Sequence, residues 1–121
     1  MQQKALLFND TEVAEMIMEQ KSPRSQKFLG RQVRGFDQAI WMEKCQDIMV
    51  PALVSKFRQD MYSLNCMVDS GDSIIVEASP FDKVWGIGMT KDDPRATDPS
   101  KWEGQNLLGI VLMKARDIIV N

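Results

Sequence analysis

Apolar residues recur every three or four positions after Asn9, which is the spacing that places them on one face of a helix. This apolar face carries Val13, Ala14, Ile17 and Met18. Asn9 followed by Glu12 matches a capping box, in which the two side chains satisfy backbone N–H groups at a helix start. The pattern predicts an amphipathic helix over residues 10–20.

Three further helices follow from similar signals. Ser22 is placed to cap a second helix that ends near Gly30, and Asp37 to cap a third. The apolar side of the third helix carries Trp41, Cys45 and Ile48. Pro51 either breaks this helix or opens the next one at its first turn, and residues 51–68 keep a helical pattern.

The second half of the chain contains the one segment typical of a β-strand. SIIVEAS, residues 73–79, follows a turn cluster and has the β-branched density of a short buried strand. Residues 90–104 lack an apolar period and contain two prolines, so they predict an exposed loop, and residues 105–120 predict a final helix. We expect a mainly α, compact single domain over residues 1–121 with a small β element, and α+β as the alternative.

Composition agrees with a globular domain of 121 residues, since 44% of the residues are hydrophobic and 26% are charged. The formal net charge of −2 indicates no particular partner. No apolar run approaches the roughly 20 residues that a membrane helix needs. The first residues also lack the zones of a signal peptide, so a cytoplasmic location is predicted.

The chain contains no histidine, which excludes Ser-His and Cys-His nucleophile pairs and histidine-based zinc sites. The two cysteines, Cys45 and Cys66, are too few for a disulfide framework or a metal site, and we expect both to be reduced core residues. Any catalysis must therefore come from carboxylates, Lys, Tyr or Trp.

A basic stretch spans residues 21–36, which contain no acidic residue. Its charges are Lys21, Arg24, Lys27, Arg31 and Arg34. One interpretation is a solvated helix face. The other is a phosphate site, because arginine matches phosphate oxygens and Gly30 allows close backbone approach. The stretch is a weak nucleic-acid footprint in a chain that is acidic overall.

The segment VEASPFDKVWGIGM, residues 76–89, places Glu77, Asp82 and Trp85 beside two glycines. A large aromatic and a glycine pair in one loop indicate a packed environment rather than open solvent. Asp82 is either a turn cap or a catalytic group, and Trp41 either core or a stacking surface. A carboxylate that faces an aromatic pocket suits glycosidic bond cleavage, where the sugar carbon develops positive charge.

Five segments, read in order, resemble the NADAR superfamily of YbiA-like N-glycosidases. They are QKALLFND, LGRQVRGFDQAIW, KFRQ, IIVEASPFDKVWGIG and WEGQNLLGIVLMKAR. The resemblance implies a compact, mainly helical fold and hydrolysis of N-glycosidic bonds. It implies a nucleotide-like small-molecule substrate, either a ribosylamino intermediate of riboflavin biosynthesis or ADP-ribosylated guanine in DNA, with no metal or organic cofactor.

The same resemblance supplies site residues by motif position. It implies Asp82 and Trp41 as the catalytic pair. The implied substrate-binding residues are Lys4, Arg31, Lys56, Glu77, Trp85, Gly86 and Asn106. We assign Lys4, Arg31 and Lys56 to the phosphate or ribose of the substrate. Asn106 is assigned as a polar contact at the start of the last helix.

The chain departs from the family pattern at its front. The family motif has a glutamate, then His or Gln, then Tyr, shortly before the position of Lys4, whereas this chain begins with Met1 inside that helix. We therefore expect an N-terminally truncated domain whose second carboxylate lies upstream. Two rival functions follow, a module that binds ADP-ribose or a nucleotide without turnover, and a nucleic-acid-binding accessory protein that uses the basic stretch. The oligomeric state is left open.

Overall fold

Helices make up the regular structure of this protein in the computed structural model, which describes residues 1–121. The α-helices are α1 (Gln2–Leu7), α2 (Thr11–Glu19), α3 (Pro23–Gly30), α4 (Gln38–Arg58), α5 (Met61–Asp69) and α6 (Leu107–Val120), with 3₁₀ turns at Pro94–Thr97 and Pro99–Lys101. The prediction of a mainly α fold is confirmed. None of these helices is both long and apolar enough to cross a bilayer.

The chain divides into two compact units, Met1–Ile48 and Met49–Asn121. Helix α4 begins in the first unit and ends in the second. The prediction that residues 1–121 form one domain stays a prediction.

The polar residues that begin the helices act largely as the sequence predicts. Ser22 Oγ accepts from the Arg24 N–H at 3.2 Å, and Asp37 Oδ1 accepts from the Ala39 N–H at 2.9 Å. The capping role predicted for Asn9 is wrong, because Asp10 is the N-cap of α2. Asn9 instead has φ 59°, a left-handed conformation that asparagine tolerates, and it makes the turn between α1 and α2.

Pro51 neither breaks a helix nor begins one, which corrects the prediction. It lies inside α4, a helix of 21 residues. A proline removes one backbone donor, and the many remaining hydrogen bonds of a helix this long keep it continuous.

The predicted strand over residues 73–79 is not formed, since these residues carry no regular secondary structure. A strand needs a partner strand for its backbone hydrogen bonds, and the protein has no other strand. The side chain of Asn106 supplies that partner instead, bonding the Ile75 carbonyl and the Glu77 N–H. Ile74 is 59% exposed, so the segment is also less buried than its hydrophobic sequence predicts.

The predicted loop over residues 90–104 is confirmed as mainly exposed, and its own ion pairs shape it. Arg95 bridges Asp93 and Glu103, at 2.9 and 3.0 Å. The hydrogen bond from Arg95 lowers the pKa of Asp93 to about 2.

The core of the first unit is built by α1, α2 and α3 and the turn that follows α3. Its buried residues are Ala5, Val13, Ala14, Ile17, Leu29 and Val33, with Phe8 packed against them. In the second unit the buried apolar residues are Val54, Met67, Ile87, Met89, Leu107, Val111 and Ala115. There the buried Arg116 of α6 donates to Ser70 Oγ at 2.9 Å, just after α5. Both cysteines are free; Cys45 is buried as predicted, whereas Cys66 is exposed and is not a core residue.

One buried carboxylate fastens the start of α2 to the end of the basic stretch. The Asp10 side chain is 1% exposed, and its Oδ1 lies 2.8 Å from Arg34 Nη2. Asp10 Oδ2 also accepts from the Arg34 backbone N–H at 2.8 Å. These bonds from Arg34 hold the pKa of Asp10 well below its usual range.

We expect Asp10→Asn to lower the midpoint of thermal unfolding by about 5–10 °C at pH 7, because an amide directs N–H groups at the Arg34 donors. A depressed pKa stabilises the fold above the unfolded-state value of 3.8, and this stabilisation is lost as pH falls below that value. The difference between variant and parent should therefore shrink below about pH 4. Melting curves between pH 2 and 8 measure it, with the exposed Glu15→Gln as control. A constant difference across that range contradicts the assignment.

Candidate functional site

Two of the predicted site residues meet in the first unit. Lys4 Nζ, on α1, lies 5.8 Å from the centroid of the Trp41 ring and 4.6 Å from that of Phe36. Trp41 is half-buried in the first turns of α4, so part of its side chain is accessible. A lysine beside two aromatic rings combines a positive charge with flat apolar surface, which suits an anionic ligand that carries a ring.

The surroundings of Lys4 disfavour the charged form of its side chain. Burial, and then the positive charge of Arg31, lower the pKa of the Lys4 ammonium. Arg31 forms the C-cap of α3 and is exposed. Because the two cations repel each other, an anion placed beside both would relieve that repulsion. The contact of Lys4 and Arg31 with a substrate phosphate stays a prediction.

Phe36 lies beside Lys4 in the candidate site, and the sequence analysis did not identify it. Its ring is contacted by Lys4 and meets Phe8 edge-on, with 5.2 Å between ring centroids. It is 40% exposed. In the sequence, Phe36 is only an aromatic residue between the basic stretch and Asp37. The packing of α1 beside it shows that Phe36 and Lys4 share a surface.

The charged residues of the basic stretch fall into two groups according to their contacts. Arg34 is engaged by Asp10 and Glu12, so it is committed to the protein's own carboxylates. The remaining charges, Lys21, Arg24, Lys27 and Arg31, are exposed. Exposure agrees with the interpretation as a solvated face, while a phosphate site at Arg31 stays a prediction.

Asp82 lies in the second unit on a tight turn. Its Oδ1 accepts from the Val84 N–H at 3.0 Å and from the Trp85 N–H at 2.8 Å. The turn-cap alternative is therefore realised, and it fastens the carboxyl group while Oδ2 takes no part in these two bonds. Asp82 and Trp85 are both partly exposed. A carboxyl group fixed through one oxygen, on a partly exposed side chain, is compatible with the catalytic prediction as well.

The glycines of the 76–89 segment are explained by the chain's own packing. Backbone N–H groups of residues 103–108 donate to carbonyls of residues 83–87, among them Gln105 to Lys83 at 2.8 Å and Asn106 to Gly86 at 3.0 Å. A Cβ on Gly86 would lie 2.8 Å from the Asp82 carbonyl oxygen. The close approach predicted here is made by the protein itself, and substrate binding by Gly86 stays a prediction.

Three other predicted residues also belong to the second unit. Glu77 is half-buried, and its carbonyl oxygen accepts from the Ile87 N–H at 2.9 Å. Asn106 is only 2% exposed and immediately precedes α6. Lys56 is exposed in the last turn of α4. No three histidine, cysteine, aspartate or glutamate side chains are grouped as a metal site would require.

Comparison with known proteins identifies the family. An N-glycosidase of Acanthamoeba polyphaga mimivirus is 43% identical over 117 residues, which cover 97% of this chain and 69% of the viral protein. Protein irg-1 of Caenorhabditis elegans is 38% identical over 119 residues, which cover 97% of this chain and 56% of that protein. The chloroplastic riboflavin biosynthesis protein PYRR of Zea mays is 32% identical over 104 residues, 83% of this chain and 15% of the maize protein.

This chain thus spans about half the length of the nematode relative and a small part of the maize relative. The family model of the NADAR domain matches residues 1–120, nearly the whole chain. The protein belongs to the NADAR domain family.

Proposed function

We propose that this protein is an N-glycosidase that hydrolyses the bond between a ribose and a base in a ribosylated or ADP-ribosylated substrate. The observation that carries the proposal is the Asp82 carboxyl group, fastened through Oδ1 by two backbone N–H groups at 3.0 and 2.8 Å. The relationship to a viral N-glycosidase, at 43% identity, supports the reaction class.

Asp82 has the central role in the proposed chemistry. As the base departs, the anomeric carbon of the ribose gains positive charge, and a carboxylate stabilises that charge or activates the attacking water. Because Oδ1 is held by the turn, Oδ2 is the oxygen we assign to the reacting centre. Trp41, in the first unit, keeps its predicted role on its motif position, and its half-buried indole has a flat face of the kind on which a sugar or base stacks.

The cation pair of the first unit is assigned to the phosphates of the substrate. Burial, and after it the charge of Arg31, lower the pKa of Lys4, and a phosphate placed beside both cations would offset their repulsion. Lys56, Glu77 and Trp85 remain predicted contacts that rest on their motif positions.

The reaction class is tested by incubating the protein with two substrates. One is a ribosylamino intermediate of riboflavin biosynthesis, and the other is an oligonucleotide that carries ADP-ribosylated guanine. We expect release of free base and the ribosyl product from at least one of them, measured by liquid chromatography against a buffer blank. Stability of both substrates through a long incubation with folded protein refutes the proposal.

A second candidate function is a module that binds ADP-ribose without cleaving a bond. The observation that favours it is the cluster of Lys4 with Phe36 and Trp41, which supplies charge and stacking surface but no carboxylate. Calorimetric titration with ADP-ribose separates the two functions when combined with the cleavage assay. Binding without cleavage of either substrate favours the module.

Binding of ADP-ribose is expected to weaken as pH rises from 7 to 10, by about tenfold, because Lys4 loses its charge through a pKa that burial and Arg31 have lowered. A lysine is charged below its pKa, so a lowered pKa moves this loss toward neutral pH. Calorimetric dissociation constants at each pH measure the effect. Lys4→Arg should bind with little pH dependence, and Lys4→Met should bind weakly throughout. An unchanged pH profile in Lys4→Met contradicts the role of Lys4.

A further inference from the structure

Asn106 contacts both segments that carry the predicted carboxylates of the second unit. Its Oδ1 accepts from the Glu77 N–H at 2.9 Å, and its Nδ2 donates to the Ile75 carbonyl at 3.0 Å. Its own backbone N–H donates to the Gly86 carbonyl at 3.0 Å, at the end of the turn that Asp82 caps. One residue therefore fastens residues 75–77 on one side and the Asp82 turn on the other.

The backbone of Asn106 is held in an uncommon conformation to make these bonds. It has φ 53° and ψ 41°, the left-handed region that side chains other than asparagine, aspartate and glycine seldom adopt. Such a conformation is strained for most side chains, and it is kept where surrounding contacts over-determine it. Here those contacts are the two amide bonds and the backbone bond to Gly86.

Gly109, in the first turn of α6, makes room for the same arrangement. A Cβ at this position would collide with the Ile75 carbonyl oxygen and with the Asn106 amide. The start of α6 is thus built to admit the 75–77 segment at close range.

These contacts leave Asn106 little surface for a ligand. The residue is 2% exposed, and both the oxygen and the nitrogen of its amide are bonded to backbone. An asparagine that contacts substrate needs an amide group free to face the pocket. The direct substrate contact assigned from the motif is therefore poorly matched by this geometry.

We propose that Asn106 is a positioning residue that sets the spacing between the Glu77 segment and the Asp82 turn. This inference rests on the proposed glycosidase function for its consequence, since that reaction requires the Asp82 carboxylate to be aligned with the anomeric carbon. A displacement of a catalytic group by about 1 Å can cost roughly 10²-fold in rate. Asn106 acts on the reaction through the two segments that it holds.

The variant Asn106→Gly tests the inference, because glycine adopts the left-handed conformation without strain and only the amide is removed. Asn9→Gly is the matched control, since Asn9 is an exposed asparagine with φ 59°. Native-state hydrogen exchange needs no substrate. We expect residues 75–87 to exchange at least about tenfold faster in Asn106→Gly, with α5 unchanged and with no change in Asn9→Gly. Unchanged exchange at 75–87, or a loss of protection throughout the second unit, overturns the inference.

Kinetics of base release supply the second readout. We expect kcat to fall about 10²-fold with KM within about threefold of the parent, as for a misplaced catalytic group. A raised KM with kcat retained marks Asn106 as a direct substrate contact and overturns the inference, and so do unchanged constants. If the parent cleaves neither substrate, the proposed function fails, and local exchange at 75–87 alone decides whether Asn106 holds the two segments.

Discussion

Replacing Asp82 by asparagine is expected to lower kcat/KM for N-glycosidic hydrolysis by about 10²–10⁴-fold, the range associated with loss of a positioned acid or base. Asparagine keeps an Oδ1 that can accept from the Val84 and Trp85 N–H groups, so the turn should survive. Only the negative charge, which the proposed mechanism places beside the developing cation, is removed. Initial rates of base release measure the loss, and thermal melts should stay within about 3 °C of the parent.

Asp60→Asn is the matched control for this experiment. Asp60 also uses Oδ1 to accept a backbone N–H two residues ahead, from Tyr62 at 3.2 Å, but it is outside the predicted site. We expect its kcat/KM to stay within about twofold of the parent, since only a helix cap is altered. Equal losses in both variants, or full activity in Asp82→Asn, would show that the Asp82 carboxylate has no chemical role.

Local signals in the sequence were sufficient for most helices. The caps of α3 and α4 by Ser22 and Asp37 were predictable because each joins a side-chain oxygen to a backbone N–H only two residues later. Val13, Ala14 and Ile17 form the buried face of α2 as their spacing predicts, whereas Met18, predicted on the same face, is 61% exposed. Asn9 and Asp10 show how far such signals can be trusted. Both residue types are good N-caps, and only the backbone turn at Asn9 determines that Asp10 caps α2.

Contacts between distant residues were beyond the reach of these signals. Residues 73–79 have the composition of a strand, but their backbone partner is a side chain about thirty positions later, at Asn106. The glycine pair of the 76–89 segment correctly indicated a close approach. What approaches is the backbone of residues 103–108, which local pattern does not reveal.

The candidate site shows the same division. Motif positions predicted Lys4 and Trp41 as site residues, and in the structure Lys4 Nζ lies 5.8 Å from the centroid of the Trp41 ring. Phe36 could not be identified from the sequence, because what places it in the candidate site is its proximity to Lys4. That proximity is set by the packing of α1 against the segment before α4. For Asp82 the sequence offered a turn cap and a catalytic group as alternatives. The geometry shows the first and provides a fixed carboxylate that the second requires.

The variant Gly109→Ala is expected to lower the free energy of unfolding by about 2–4 kcal/mol, against the sign that helix propensity predicts. Alanine in place of glycine inside a helix normally stabilises by up to about 1 kcal/mol. At Gly109 the added methyl group would collide with the Ile75 carbonyl oxygen and the Asn106 amide, neither of which can move without breaking their mutual hydrogen bond. Urea titration followed by circular dichroism measures the change.

Gly30→Ala provides the comparison, since Gly30 is a helical glycine at the end of α3. The methyl group added there would meet the side chain of Met1, whose far end is flexible. We expect the stability of Gly30→Ala to change by less than about 1 kcal/mol, because a methionine can rotate away at little cost. If Gly109→Ala proves as stable as Gly30→Ala, then α6 does not approach the 75–77 segment closely, and the fastening of Glu77 by Asn106 is wrong with it.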